Sequence, residues 1–235
     1  MSTRRSERAF FYREFRRTFH TTGALLPSGP FLATALTRFL RRPGATRQIL
    51  EVGPGTGAVT LRIVQNLRPG DRLELVELNA RFVDYLQQRF ASDPRLLAAA
   101  DRVAIHHKPV QELTDHGKYD VIISGLPLNN FSVGLVEELL ATLLRLLKPG
   151  GVLSFFEYIA IRRARAMVSG PQERARLSGI GRSLRGLLSA SEFRRDAVWW
   201  NVPPAWVHHV RLPEVAPPVG GQAGWPKAEN GQAHF

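Results

Sequence analysis

A glycine-rich turn between a short apolar run and a helical pattern constrains this chain more than any other feature. The stretch reads QILEVGPGTGAVTL, residues 48–61. Ile49, Leu50 and Val52 predict a buried strand, and the glycines after it can take positive φ or lie directly against a ligand. The helix start that follows offers unpaired backbone N–H groups. The pattern therefore predicts a nucleotide-binding turn at the carboxyl end of a parallel strand.

Acidic residues stand at both sides of this turn. Glu51 precedes the glycines, and Glu77 ends a second apolar run over residues 73–76. A carboxylate at the end of the second strand of an open parallel sheet can accept hydrogen bonds from both ribose hydroxyls of a nucleotide. The candidate cofactor ligands of this region are Glu51, Gly53, Gly55, Gly57 and Glu77.

Two cofactors fit the spacing of the glycines. Gly53-x-Gly55-x-x-Ala58 satisfies the loose dinucleotide fingerprint, so the glycines alone allow NAD. Pro54 inside the turn, the acidic residue ahead of it and the lack of a substrate domain argue against NAD. The order E-x-G-x-G-x-G after a strand resembles the first motif of class I S-adenosylmethionine (SAM) methyltransferases, and we therefore expect SAM as the cofactor.

The charge and composition of the chain indicate which partners and which cellular compartment it favours. The 235 residues include 32 Lys plus Arg against 20 Asp plus Glu, which gives a net charge of +12, and no cysteine. Such a surface favours phosphates, whether of nucleic acid or of anionic lipid. The absence of cysteine fits a reducing compartment, and no apolar run reaches the roughly 18 to 20 residues of a membrane span. We expect a cytoplasmic protein that is soluble or peripherally bound to a membrane.

Residues 4–20, RRSERAFFYREFRRTFH, form the second informative stretch. Phe11, Phe15 and Phe19 recur at the spacing of one helix face, and arginines occupy most of the remaining face. An aromatic and cationic helix of this kind is typical of helices that lie in a membrane interface. The same pattern also fits a lid helix that packs its phenylalanines on the domain and leaves its arginines in solvent.

Strands and helices alternate along the middle of the chain. We predict strands ending at Val52 and over 72–77, 103–107, 119–124 and 152–158, with helices over 31–40, 57–67, 80–90 and 133–147. This alternation predicts a parallel sheet with helices on both faces. The arginine-rich span 162–195 contains several glycines, which predict a broken helix with mobile parts. Residues 197–212 predict two β runs joined through Pro203 and Pro204 in an antiparallel hairpin.

The predicted domain organisation has three parts. Residues 1–45 form an N-terminal amphipathic helix and lid region, residues 46–212 form the cofactor-binding domain, and residues 213–235 form a disordered tail. The tail has four prolines and four glycines without an apolar period. The fold class is α/β, a Rossmann-like sheet of seven mostly parallel strands with a C-terminal antiparallel hairpin and N-terminal helices.

Two further motifs narrow the resemblance to one family. After the fourth strand stands SGLPLNNF, residues 124–131, and the hairpin contains NVPPAW, residues 201–206. Together with LEVGPGTG these motifs resemble the bacterial phospholipid N-methyltransferases, whose core is similar to that of ribosomal RNA adenine dimethyltransferases. The resemblance spans roughly residues 10–212. It departs from amine-directed methyltransferases at Gly125-Leu126-Pro127-Leu128, where a motif of the type N/D-P-P-Y is usual.

The resemblance implies stepwise methylation of phosphatidylethanolamine toward phosphatidylcholine, with SAM as donor and S-adenosylhomocysteine as product. It implies a peripheral membrane enzyme of phospholipid biosynthesis at the inner face of the cell membrane. Its partners would be a phospholipid substrate and an anionic surface reached through the N-terminal helix, without nucleic acid or metal. The family's acidic residue after the third strand is missing here, so adenine recognition is left to Val110, Gln111 or nearby apolar groups. The implied cofactor contacts beyond the glycine turn are Leu78, Val110, Ser124, Gly125 and Leu126.

Methyl transfer to an amine asks mainly for alignment of the nitrogen with the methyl group and for loss of a proton from the ammonium. Tyr158, at the predicted carboxyl end of the fifth strand, is the first candidate for orienting the amine. Glu157 is a candidate proton acceptor, and Asn129 a candidate polar contact. Each of the three also fits a purely structural role.

Two other functions stay open at this point. An RNA adenine N6-methyltransferase would use the positive charge, but it must stack an extruded base on an aromatic ring. Leu128 occupies the place where that aromatic residue would stand. A non-catalytic protein that kept the fold would bind SAM and a lipid or RNA without turnover.

Overall fold

The apolar runs of the chain pair into one seven-stranded sheet, described here from a computed structural model that covers residues 29–41, 44–159 and 170–213. The strand order is β3-β2-β1-β4-β5-β7-β6. The strands are β1 Gln48–Val52, β2 Arg72–Glu77, β3 Val103–His107, β4 Tyr119–Ser124, β5 Leu147–Tyr158, β6 Glu192–Val198 and β7 Ala205–Arg211. The first five strands run parallel, and β7 pairs antiparallel with both β5 and β6. The predicted α/β fold with a closing antiparallel hairpin is confirmed.

Helices fill the connections between the parallel strands. The α-helices are α1 Pro30–Leu36, α2 Ala58–Val64, α3 Ala80–Ser92, α4 Pro94–Leu97, α5 Val133–Leu146 and α6 Pro171–Ser191. Short 3₁₀ helices lie at Arg38–Arg41, Ala100–Arg102, Val110–Glu112 and Leu128–Asn130. Side chains that cap helix ends are present at α3, where Asn79 accepts from the N–H of Arg81, and at α5, where Ser132 accepts from the N–H of Leu135.

The alternation of side chains along each strand divides the core into two layers. Leu50 and Val52 face the layer that α5 and α6 cover, whereas Ile49 faces the layer that α1, α2 and α3 cover. Helix stripes complete both layers, with Leu139 and Leu143 of α5 in the first. Because both faces are apolar and covered, the parallel strands can be as continuously hydrophobic as the sequence makes them.

The structure corrects the prediction for the described part of the arginine-rich span, whose residues 162–169 lie outside the described residues. Residues 171–191 form one continuous helix, α6, and β6 already begins at Glu192 rather than near residue 197. A Cβ atom at Gly179 would lie 2.6 Å from Val133 Cγ2, so this glycine lets α6 approach the start of α5 closely. The helix is held by an apolar stripe that the sequence analysis passed over, namely Leu177, Ile180, Leu184 and Leu187.

Several predicted boundaries of helices and strands differ from those in the structure. The helix predicted over residues 31–40 is split into α1 and a 3₁₀ turn at Arg38–Arg41, and α2 ends at Val64 rather than at residue 67. β5 begins at Leu147, before Pro149 and the glycines that suggested a loop. The amphipathic stretch 4–20 and the tail 214–235 lie outside the described residues.

Candidate active site

The glycine turn after β1 is anchored to the neighbouring strand and leaves space beside it. Gly53, Gly55 and Gly57 take φ values of 70°, 54° and 79°, which L side chains rarely adopt. The N–H of Gly53 donates to the carbonyl of Val76 at 3.0 Å. A Cβ at Gly55 would meet no atom within 4 Å, so the turn faces open space at that position. A ligand can therefore approach the backbone there, as the sequence analysis predicted.

Glu77 holds the turn and the end of β2 together. Its carboxylate accepts backbone N–H groups from Gly55 at 3.0 Å and from Leu78 and Asn79 at 2.8 Å each. Burial nevertheless raises the pKa of Glu77 above its ordinary value, because desolvation disfavours the charged form more than the three hydrogen bonds favour it. Glu77 thus fixes the geometry of the glycine turn, and a contact between its carboxylate and a ribose stays a prediction.

The loop after β4 closes against the same turn. The N–H of Gly125 donates to the carbonyl of Val52 at 2.8 Å, and a Cβ at Gly125 would lie 2.6 Å from the carbonyl oxygen of Gly53. Leu126 covers Gly53, since a Cβ there would lie 2.6 Å from Leu126 Cδ2. Ser124 is fully buried, and its Oγ lies 3.4 Å from the N–H of Leu126. Only glycine fits where the two loops meet.

A cavity of about 280 Å³, partly open to solvent, lies between these loops and the turn after β3. Its lining residues are Val52, Gly53, Val76, Glu77, Leu78, Lys108, Pro109, Val110, Leu126 and Leu139. Five of the predicted cofactor residues line it, namely Gly53, Glu77, Leu78, Val110 and Leu126. The walls are mainly apolar, with one buried carboxylate and one lysine, which suits a flat ring joined to a hydroxyl-bearing sugar.

Glu51 lies on the other face of β1 and outside the lining of the cavity. The hydroxyl of Thr60 donates to its Oε2 at 2.7 Å, while Oε1 is buried without a hydrogen-bond partner among the described residues. Burial, with a smaller contribution from the like charge of Glu77, raises the pKa of Glu51 to about 8. An acid of this kind, buried with one oxygen unsatisfied, suits a cationic group of a ligand.

The predicted polar contact Asn129 sits in the 3₁₀ turn Leu128–Asn130. Its side chain is 5% exposed, and its Oδ1 has no hydrogen-bond partner within the described parts of the chain. Arg176 of α6 donates to the backbone carbonyls of Asn129, at 3.1 Å, and of Phe131, and it is paired with Glu173 at 2.6 Å. Arg176 was not predicted from the sequence. It lies 45 residues after Phe131 and holds the loop after β4 through these two carbonyls.

The structure separates the other two catalytic candidates. Successive residues of a strand point to opposite faces, so the side chains of Tyr158 and Glu157 leave β5 on opposite faces. Tyr158 packs edge-to-face on Phe156 at 5.1 Å, on the side of α1 and α2, and burial raises the pKa of its hydroxyl. Glu157 points to the other face, where its Oε2 lies 3.9 Å from Nε2 of His208.

His208 was also missed, because its partners come from strands that pair only in the fold. Its ring stacks on Phe155 with centroids 5.3 Å apart, and its Nδ1 lies 2.6 Å from Glu192 Oε1. The register of β5 with β7 places it opposite Phe155. The repeated histidines at 208 and 209 in a predicted strand were the only signal available from sequence.

The histidines near β3 have ordinary partners. Nε2 of His106 lies 2.9 Å from Glu74 Oε2, and Nε2 of His107 lies 3.2 Å from the carbonyl of Leu78. Across residues 29–41, 44–159 and 170–213, no group of three or more His, Asp or Glu could hold a metal ion. No helix within those ranges is long and apolar enough to cross a membrane.

Comparison with known proteins identifies the domain. Residues 49–151 match the family model described as a methyltransferase domain. Residues 49–151 are thus similar to the methyltransferase domains of class I SAM-dependent methyltransferases. SAM is the cofactor of that class, in agreement with the glycine turn, the buried acids and the apolar cavity described above.

Similar proteins share the domain but differ in their acceptors. The chain is 29% identical over 130 residues to an ornithine lipid N-methyltransferase of Singulisphaera acidiphila, covering 54% of this chain and 66% of that one. It is 35% identical over 103 residues to ribosomal RNA small subunit methyltransferase A of Parasynechococcus marenigrum, covering 43% and 32%. The chain thus spans less than two thirds of the length of these curated relatives.

A similar solved structure supports the fold over most of the chain. The 1,6-didemethyltoxoflavin-N1-methyltransferase of Burkholderia thailandensis, solved with its acceptor and S-adenosylhomocysteine, superposes with a TM-score of 0.58. The sequences are 18% identical, and the match covers 91% of this chain and 92% of that one. At this identity the likeness establishes the fold alone.

Proposed function

We propose that this protein is a SAM-dependent N-methyltransferase of phosphatidylethanolamine and its methylated intermediates, acting toward phosphatidylcholine at a membrane surface. The observation that carries the proposal is the buried, unpartnered Oδ1 of Asn129 in a loop that also forms the wall of the cofactor cavity. An amine nitrogen has N–H groups to donate to such an oxygen. The likeness to an ornithine lipid N-methyltransferase supports a lipid amine as the acceptor class.

The chain's residues fit the proposed donor. Gly55 leaves room against the backbone, Gly53 and Glu77 lie in the cavity wall, and Glu51 offers a buried carboxyl oxygen without a partner among the described residues. Bound SAM supplies an electrophilic methyl group on a sulfonium. The contribution of the protein is to hold the acceptor nitrogen in line with that group and to exclude water.

The acceptor must arrive as a neutral amine. Oδ1 of Asn129 can accept one N–H and turn the lone pair toward the cofactor. Tyr158, whose pKa burial raises above its ordinary value, keeps a protonated hydroxyl that can donate to or accept from the headgroup. Glu157 leaves β5 on the face opposite to Tyr158, with its Oε2 3.9 Å from Nε2 of His208, and in this proposal it is the acceptor for the proton of the ammonium.

An RNA adenine methyltransferase is the second candidate, favoured by the net charge and by the ribosomal RNA methyltransferase relative. The loop after β4 argues against it. Leu128 is buried at the position of the expected aromatic residue, and Phe131, the aromatic residue of this loop, is also buried. Neither offers a face on which an extruded base could stack. The third candidate, a non-catalytic binding protein, would hold SAM and never turn it over.

The proposed site of action is the inner face of the cell membrane. The residues 4–20, with their phenylalanines and arginines, would bind an anionic surface in the manner of interfacial helices. Association of this kind needs no helix that crosses the bilayer. It would fade with added salt, because exposed charges are screened beyond about 8 to 10 Å.

Transfer of labelled methyl groups from SAM tests the proposal directly. The protein is incubated with phosphatidylethanolamine in anionic vesicles or with unmodified ribosomal RNA, and the label is followed in extracted lipid and in RNA. We expect label in the lipid alone. Label in RNA would transfer the assignment to the second candidate, and SAM binding without label in either fraction would support the third.

A further inference from the structure

The turn between β6 and β7 displays the most exposed large apolar side chains of the described residues. Trp200 is 82% exposed, Val202 79% and Trp199 61%. The other large exposed apolar residues of this part of the chain are scattered singly and are less exposed, such as Leu97 at 53%. Clusters of exposed apolar residues, unlike single ones, mark interaction surfaces.

Hydrogen bonds hold this turn in place. Asn201 is buried, its Nδ2 donates to the carbonyl of Pro203 at 2.7 Å, and its Oδ1 accepts from the N–H of Gly29 at 3.2 Å. The carbonyl of Pro204 accepts from the N–H of Ile159 at 2.8 Å. The turn is therefore tied to the end of β5 and to the start of α1, and its tryptophans are held outward on a fixed support.

The turn lies at the edge of the sheet where the acceptor would enter. β7 begins at Ala205, which pairs with Tyr158, the last residue of β5. The carboxyl ends of the parallel strands, and with them the cofactor cavity, are at the same edge. Gly29, to which Asn201 is bonded, is also the point at which the chain arrives from the aromatic and basic stretch 4–20.

Cationic and aromatic groups stand behind the tryptophans. Arg195 is exposed on the edge strand β6, and its guanidinium lies 5.1 Å from the centre of the Trp206 ring, whereas the neighbouring Arg194 is paired with Asp196 at 2.9 Å. Trp206 in turn packs edge-to-face on Trp199 at 6.0 Å. Indole rings prefer the interface between headgroups and acyl chains, and an arginine one step further back can reach lipid phosphates.

We propose that this turn, residues 199–204, inserts into the headgroup region of an anionic bilayer and seats the acceptor edge of the sheet on the membrane. Exposed tryptophans backed by an arginine favour a lipid surface over a protein groove or RNA, because the clustered indole rings are held outward by a hydrogen-bonded turn and suit the headgroup region of a bilayer. The inference deepens the proposed function, since it states how a lipid acceptor reaches the site. Its test uses membrane binding, which is independent of methyl transfer.

The test is vesicle flotation of the full chain carrying Trp199→Ser and Trp200→Ser. The matched control carries Tyr85→Ser and Leu97→Ser, which also removes two exposed apolar side chains but from α3 and α4. Vesicles contain phosphatidylcholine with phosphatidylglycerol, and SAM affinity and the melting temperature establish that both variants are folded. We expect the tryptophan variant to lose at least tenfold in vesicle partitioning and the control to float like the parent.

A second readout places the turn in the bilayer. In a chain whose Trp206 and Trp225 are replaced by Phe, brominated lipids should quench the fluorescence of Trp199 and Trp200. The inference is overturned if the tryptophan variant floats with vesicles as well as the parent does. It is also overturned if brominated lipids do not quench the fluorescence of Trp199 and Trp200. Loss of RNA binding or of a protein partner in that variant, with flotation intact, overturns it as well.

Methylation distinguishes this inference from the proposed function. With phosphatidylethanolamine dispersed as single molecules in detergent, the tryptophan variant should methylate like the parent, and with vesicles it should be at least tenfold slower. If the parent binds vesicles through the turn but labels no lipid, the proposed function fails and the inference stands.

Discussion

The two halves of the sheet edge are built in different ways. Around the ends of β1, β2 and β4 the contacts are from backbone to backbone or from one carboxylate to backbone, as at Glu77 and between Gly53 and Gly125. Around β5, β6 and β7 the contacts join side chains, such as His208 with Glu192 and His209 with Asp196. We call the first the cofactor half, because it holds the predicted cofactor contacts, and the second the acceptor half, because Tyr158 and Glu157 of the predicted amine site lie at the end of β5.

The largest expected effect is on stability and lies in the cofactor half. Because the pKa of Glu51 is raised to about 8, the folded protein keeps a proton that the unfolded chain releases above its ordinary value of 4.5. Stability should therefore fall as pH rises from about 4.5 to 8. Glu51→Gln removes this dependence and should raise the free energy of unfolding on the order of 3 kcal/mol at pH 7.

Urea unfolding at a series of pH values measures this effect. The parent should lose stability between pH 5 and 8 relative to the variant, while the variant should bind SAM more weakly because its side chain cannot ionise. Parallel pH profiles for the two proteins would show that Glu51 is not a protonated acid in the fold, and the account of its role would be wrong.

The second effect sharpens the role of Glu77. Replacement by Ala removes the proposed ribose acceptor and three backbone contacts, and we expect a cost on the order of 1.5 to 3 kcal/mol in SAM binding. Calorimetry should record a loss of tenfold or more. Asp84→Ala, which removes an exposed carboxylate from α3, is the control and should bind SAM like the parent. Unchanged SAM affinity in Glu77→Ala would show that Glu77 does not bind the ribose.

The third effect moves to the acceptor half. Tyr158→Phe keeps the packing on Phe156 and removes the hydroxyl, so we expect kcat on the lipid to fall about tenfold while SAM affinity is kept. Steady-state kinetics with separate measurement of SAM binding checks this. Equal rates would move the orientation of the amine to Asn129, whose replacement by Ala would be measured next.

The smallest effect concerns the helix that the sequence analysis predicted as broken. Gly186 lies inside α6, and a Cβ there would meet no atom within 4 Å. Gly186→Ala should stabilise the protein by about 0.5 to 1 kcal/mol through a lower entropy of the unfolded chain. Gly179→Ala should destabilise it, because the new methyl group would press on Val133. Thermal unfolding of the two variants tests the pair, and destabilisation by Gly186→Ala would contradict a regular helix.

The sequence predicted the geometry of the cofactor half well because its residues are neighbours in the chain. Gly53, Gly55 and Gly57 follow one strand directly, and Glu77 ends the next, so spacing alone placed them together. The acceptor half depends on Arg176, His208 and Glu192, whose partners are brought near by helix packing and strand register. The glycines of α6 led to the wrong prediction of a broken helix. At Gly179 the missing side chain allows close packing against Val133 and does not break the helix.

The contact between Gly53 and Gly125 has a mechanical consequence. Two backbones touch there without side chains between them, one belonging to the cofactor turn and the other to the loop that carries Asn129. Because backbone meets backbone at this point, we expect the glycine turn and the loop after β4 to move together. If Asn129 holds the acceptor as proposed, the position of the acceptor is then tied to that of the cofactor turn.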